Sequence, residues 1–141
     1  MKRIALFSVV CLSILAIPAA QAQITLPLKA DIQHQFTVGQ TTLPPGEYVF
    51  RMLEGSSLNA MIVTNKDNDT SVEFLVRNSI DSHVPQHSEL MFNRYGTKEF
   101  LTNLYDRGEK LGVAVIEPSR EESRLLREGR QGVPHTEEEP D

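Results

Sequence analysis

From Ala30 to Ile116 apolar and polar positions alternate with a period of two, interrupted by turn residues about every eight to twelve positions. Successive side chains of a strand point to opposite faces, so this pattern predicts strands with one face buried and one in water. The first predicted strand sets Ile32, His34, Phe36 and Val38 on one face against Asp31, Gln33, Gln35 and Thr37 on the other. Gly39 and Leu43-Pro44-Pro45-Gly46 then turn the chain, because proline fixes φ and the following glycine can take the positive φ of a type II turn. Strands over 47–53, 58–64 and 71–77 follow, separated by Gly55-Ser56-Ser57 and by the polar run from Asn65 to Asp69. The segment 78–88 loses the alternation and contains Pro85, which predicts the longest loop of the domain. Strands over 89–95, 99–105 and 111–116 complete the set. The expected fold is all-β: a seven- to eight-stranded antiparallel sandwich or small barrel with a short C-terminal helix and a disordered tail.

Pro118 ends the β region, and Ser119 with Glu122 three residues later forms a capping box that starts a helix, stopped by Gly129. A helix over 119–130 with only Leu125 and Leu126 as its apolar pair must dock on the domain or fray. Residues 131–141 carry two prolines, four acids and a single apolar side chain, Val133, and are expected to form a disordered acidic tail.

The other end of the chain has a different character. Lys2 and Arg3 precede an uncharged, mostly apolar run from Ile4 to Ile17 that is shorter than the 20 or so residues a membrane span requires. Pro18 breaks that run, and Ala20-Gln21-Ala22 supplies the small-x-small pattern of a signal-peptidase site. Residues 1–22 are therefore expected to be a signal peptide cleaved after Ala22, with a β domain over 23–118 released to the periplasm or secreted. The only cysteine, Cys11, would leave with it, so the mature chain would hold neither disulfide nor thiolate chemistry.

Composition narrows the partners. Subtracting Lys2 and Arg3 from 14 basic residues leaves 12 against 19 acidic ones, a formal charge of −7 for the mature chain. That balance argues against a nucleic-acid partner, whose phosphates need clustered lysine and arginine. The expected partner is an unidentified component of the envelope or the extracellular medium, with no membrane span in the mature chain.

Phe36-Thr37-Val38-Gly39, Leu43-Pro44-Pro45-Gly46-Glu47-Tyr48, Phe92-Asn93-Arg94-Tyr95-Gly96 and Phe100-Leu101 resemble the recurrent pattern of a family of small exported bacterial β-domain proteins. The likeness covers roughly residues 32–122. It departs from the pattern at Pro45, where a small residue is expected before the glycine. The resemblance implies a fold and a compartment, and it carries over no catalytic residue and no cofactor.

Candidate chemistry is sparse. His83 and His87 stand four apart with Asp81 nearby, the spacing of a metal pair on a helix, but Pro85 between them opposes that helix and favours two solvated loop histidines. Asp67-Asn68-Asp69 opens like a calcium loop, yet Val72 and Asn78 occupy the places of its required glycine and glutamate. No catalytic residue is assigned, since nucleophile-elbow, phosphate-loop and dinucleotide patterns are missing from the sequence. Tyr48, Tyr95 and Arg94 are the binding candidates, the tyrosines as part of an aromatic set that could line an apolar cavity.

For Arg94 a structural role is expected instead. A two-residue type II′ loop at Gly96-Thr97 places Tyr95 opposite Lys98, Arg94 opposite Glu99 and Phe92 facing Leu101, so that Arg94 meets a carboxylate on its own sheet face. Three functional classes stay open: a non-enzymatic binding or structural module, which is preferred; a small hydrolase or metal-dependent enzyme using His34, His83 or His87; and a carrier with an apolar barrel interior.

Overall fold

The computed structural model describes residues 27–116 and 118–140. The signal-peptide expectation and Cys11 lie outside these residues. Ten strands and one helix follow one another: β1 (Leu28–Ile32), β2 (Phe36–Val38), β3 (Thr41–Leu43), β4 (Gly46–Met52), β5 (Ala60–Asn65), β6 (Ser71–Ile80), β7 (Glu89–Tyr95), β8 (Lys98–Tyr105), β9 (Leu111–Val115), α1 (Arg120–Arg127) and β10 (Val133–Glu138). All the strands belong to one sheet, which does not close on itself.

The sheet has two halves, and β6 is common to both. Its first five residues pair with β5, from Ser71↔Thr64 to Leu75↔Ala60, and its last five pair with β9, from Val76↔Val115 to Ile80↔Leu111. One half is thus β1-β4-β5-β6, and the other is β6-β9-β8 with β2, β3, β7 and β10. Alternate residues of both halves enter a single apolar core, with Leu28, Ile32, Tyr48, Phe50, Met61 and Val63 from the first and Phe36, Val38, Phe74, Val76, Leu90, Phe92, Leu104 and Val113 largely from the second. Gly112 is required in that packing, because a Cβ there would stand 2.3 Å from the Leu104 carbonyl oxygen.

The long first strand expected over 31–38 is two strands. The alternation of buried positions persists through it, but β1 pairs with β4 and β2 pairs with β3, leaving Gln33 to Gln35 between them outside any ladder. Opposite that gap lie Pro44 and Pro45, which have no N–H to donate and so cannot continue the hairpin. The pairing resumes at Ile32↔Gly46 on one side and Phe36↔Leu43 on the other. β3 arises because Gly39, at φ +56°, opens a two-residue turn that folds Thr41 back onto Val38.

Two further expectations are corrected. The sheet is not wholly antiparallel, since β2 runs parallel to β8 through Phe36↔Glu99 and Thr37↔Phe100. Residues 131–141 were expected to be a disordered tail, whereas Val133–Glu138 form β10, paired antiparallel with β7 from Val133↔Arg94 to Glu138↔Glu89. An edge strand needs little apolar surface to order it. Its backbone groups find partners on β7, and its polar side chains find partners described below.

The β7–β8 hairpin has the expected register: Tyr95↔Lys98, Arg94↔Glu99 and Phe92↔Leu101. Gly96 has φ +66° and Thr97 does not have a positive φ, as a type II′ loop requires. The register shifts between Met91 and Phe92, where Thr102 is the extra residue and its hydroxyl donates to the Met91 carbonyl at 3.0 Å.

α1 begins where expected. Ser119 is the N-cap and its hydroxyl accepts from the Glu122 N–H at 2.9 Å. The Glu122 carboxylate, which a capping box would turn back on Ser119, instead accepts from Asn93 Nδ2 at 3.1 Å and from the Tyr95 hydroxyl at 3.3 Å. Leu125 packs with Tyr95 and Phe100, while Leu126 stays exposed, so the helix docks by one leucine and a buried carboxylate.

Deleting residues 131–141 should therefore expose the edge of β7 and cost about 2 kcal/mol, read as a lowered melting temperature. An unchanged melting temperature would show that β10 adds nothing to the fold.

Candidate functional site

The gap between β1 and β2 is also where polar side chains gather. His34 lies in it, with the ring set edge-on to Phe92 of β7 at a centroid distance of 5.2 Å. On β10 the residues opposite Phe92 and Leu90 are His135 and Glu137, and the pleat turns both toward the same face. Phe92 is the floor beneath the two imidazoles, whose centroids are 5.2 Å apart. On β8, next along the sheet, Glu99 is buried with only 4% of its surface exposed.

The buried carboxylate is fully engaged. Arg94 Nε donates to Glu99 Oε1 at 2.5 Å, His135 Nδ1 lies 2.8 Å from Oε2, and His34 Nε2 lies 3.4 Å from the same oxygen. Burial alone would push the Glu99 carboxyl up. The hydrogen bonds from His135 and Arg94, with the nearby His34, outweigh it and hold the carboxyl below its ordinary value. Glu137 Oε1 is 3.2 Å from His34 Nε2 and 3.5 Å from His135 Nε2. Five side chains from the gap, β7, β8 and β10 thus converge.

Arg94 has the structural role expected of it, with a larger burden. A solvent-exposed cross-strand pair is worth about 0.2–1 kcal/mol. Here the partner is buried, so losing Arg94 would leave a carboxylate in the interior with less compensation. Tyr95 packs edge-to-face on Phe100 at 5.7 Å, and burial, followed by the adjacent Glu122, pushes its phenol up. Tyr48 is buried against Phe36 at 5.0 Å and donates to the Pro44 carbonyl at 2.6 Å, bracing the proline corner. These two tyrosines hold the fold together at the places where they were candidates for binding.

Among the described residues His83 and His87 do not join a third ligand with all donor atoms within 4.8 Å, although both act on the Glu89 carboxyl. His83 is mostly exposed, with Nδ1 3.8 Å from Asp81 Oδ1 and Nε2 3.8 Å from Glu89 Oε1. Among the described residues, one set of three ligand-type side chains has its donor atoms within 4.8 Å of one another, and it is His34, His135 and Glu137. His34 was legible as a histidine on the core face of a strand. His135 and Glu137 were missed because 131–141 has no apolar alternation, although Val133, His135 and Glu137 do share one parity against Pro134, Thr136 and Glu138.

A polar cleft of about 870 Å³ lies between β2 and the start of α1, with Thr37, Gln40, Lys98, Glu99 and Arg120 among its walls. No known protein family, curated protein or solved structure matches the chain.

The lowered Glu99 carboxyl sets a pH dependence. A carboxyl depressed by folding contributes stability that is fully present above its unfolded value near 4.5 and is lost as pH falls through its folded value. Glu99→Gln should destabilise the protein by about 1–3 kcal/mol at neutral pH and flatten the fall in stability below pH 4.5. Melting temperature measured against pH for both proteins checks this, and an equally steep acid limb in the variant would count against it.

Proposed function

We propose that this chain is exported and serves as a non-enzymatic binding or structural module of the bacterial envelope or its surroundings, working through its surface. The observation that carries this reading is the packing of the aromatic side chains a carrier would use to line a cavity. Phe36 meets Tyr48 and Phe92 edge-to-face at 5.0 and 5.8 Å, and all three belong to one continuous core with the leucines, valines and isoleucine of both halves. Rings packed on one another in this way are satisfied as core. The polar groups, by contrast, collect at the rim, in the His34 cluster and in the cleft beside α1.

Export is supported by the charged start, the short apolar run and the Ala20-x-Ala22 pattern, and by the resemblance of the strand motifs to an exported family. The first described strand begins at Leu28, shortly beyond the expected cleavage point. No described helix is long and apolar enough to cross a membrane.

Expression with the natural N-terminus in a Gram-negative host, followed by mass spectrometry of the released protein, should give a chain beginning at Gln23. A species that keeps residues 1–22 would overturn export by cleavage. The same purified protein should show no saturable uptake of a fluorescent apolar probe such as N-phenyl-1-naphthylamine, whereas one-to-one saturation would favour the carrier.

A further inference from the structure

We propose that His34, His135 and Glu137 form a binding site for a single divalent transition-metal ion, with Zn²⁺ the ion their geometry suits. Nitrogen and carboxylate ligands stand about 2.0–2.1 Å from zinc, which sets them about 3.3 Å apart at the corners of a tetrahedron. Glu137 Oε1 lies 3.2 Å from His34 Nε2 and 3.5 Å from His135 Nε2, one tetrahedral edge from each. The two imidazole nitrogens fall within 4.8 Å of one another, so ring rotation has to bring them to the tetrahedral edge.

The outer contacts of the rings leave their Nε2 atoms turned to Glu137. His34 Nδ1 lies 3.5 Å from the Gln35 carbonyl oxygen, and His135 Nδ1 lies 2.8 Å from the Glu99 carboxylate. Both oxygens are acceptors for an Nδ1 proton, whereas Arg94 Nη2, 2.8 Å from His135 Nδ1, donates and calls for a lone pair there. His34 Nε2 faces carboxylate oxygens of both Glu137, at 3.2 Å, and Glu99, at 3.4 Å, and His135 Nε2 faces Glu137 at 3.5 Å. A divalent cation seated between the two Nε2 atoms and Glu137 Oε1 takes the place of any proton held there, so binding releases that proton. The chain Arg94–Glu99–His135 is the carboxylate-backed imidazole that orients metal-bound histidines.

Access and selectivity follow from the placement. His34, His135 and Glu137 are each about a quarter exposed, so an ion can enter from solvent and keep a water as its fourth ligand. Two imidazoles and one carboxylate favour zinc and its neighbours over magnesium or calcium, which prefer all-oxygen sets. Two of the three ligands lie on β10, so the ion would tie that strand to the gap between β1 and β2.

The test uses the mature chain, residues 23–141, freed of metal with a chelator and titrated with Co²⁺ by visible absorption and with Zn²⁺ against a chromophoric competitor. The expected result is one equivalent of either ion, with a four-coordinate Co²⁺ spectrum. His34→Gln, His135→Gln and Glu137→Gln, which keep side-chain bulk and hydrogen-bonding capacity, should each weaken Zn²⁺ binding at least about 100-fold. Glu99→Gln, acting through His135, should weaken it about 10- to 100-fold. The double variant His83→Ala/His87→Ala should bind as the parent does. Amide NMR spectra of the metal-free variants verify that each is folded, and Thr136→Ala, facing away on β10, serves as a matched control for strand docking. Absence of one-equivalent binding by the parent, retention of binding by folded His34→Gln and His135→Gln, or loss of binding in the His83/His87 double variant would each overturn the proposal.

Discussion

Both halves of the sheet bury side chains in the same core, and this is possible only if the chain turns a corner wherever it passes from one half to the other. β6 turns it with its ladder intact, by changing partners between Leu75 and Val76. The hairpin at the other end cannot do so, because two consecutive prolines face Gln33 to Gln35 and offer no N–H groups. The ladder breaks there, and the sheet stays open. Tyr48 secures the broken corner from within by donating to the Pro44 carbonyl. Closure by backbone pairing is thus exchanged for a seam, and what happens along that seam distinguishes this molecule from a plain barrel.

A seam exposes polar backbone and admits polar side chains close to the core, which an unbroken ladder would exclude. His34 occupies the gap, with the ring against Phe92 and Nε2 directed to the carboxylates of Glu99 and Glu137. β10 then crosses nearby, so that residues at opposite ends of the described chain meet; the Lys29 N–H even donates to the Glu139 carboxylate. Burial of Glu99 is tolerable because Arg94, fixed opposite it by the β7–β8 register, supplies the compensating charge. Removing Arg94 would therefore disturb His135 as well, although the two are far apart in sequence.

What could be read from the sequence was governed by local rules. The pairing of Arg94 with Glu99 follows from a two-residue loop with glycine first, and the start of α1 follows from Ser119. Buried positions also kept their parity from Leu28 to Val38 across a break that the alternation did not reveal. The parallel contact between β2 and β8 was beyond such rules, since no loop or cap specifies which distant strand will lie alongside Phe36 and Thr37. β10 was missed for a different reason: judged by apolar area, 131–141 has nothing to bury, yet it is held by a backbone ladder and by His135 and Glu137. Three of the five side chains in the candidate cluster, His34, Arg94 and Glu99, were therefore legible as single residues, and the two on β10 were not.

The order of the strands along the chain has a consequence for how the molecule is made. β10 is the last described strand to leave the ribosome, and its partner β7 precedes it by β8, β9 and α1. Until Glu138 has emerged, β7 is a bare edge of a nascent domain, able to recruit the same segment of another copy. The hazard is greatest in chains truncated before Val133 and ends when synthesis passes that point. A chain cut short before Val133 would accordingly have its core in place and an adhesive flank, a failure of solubility before one of folding.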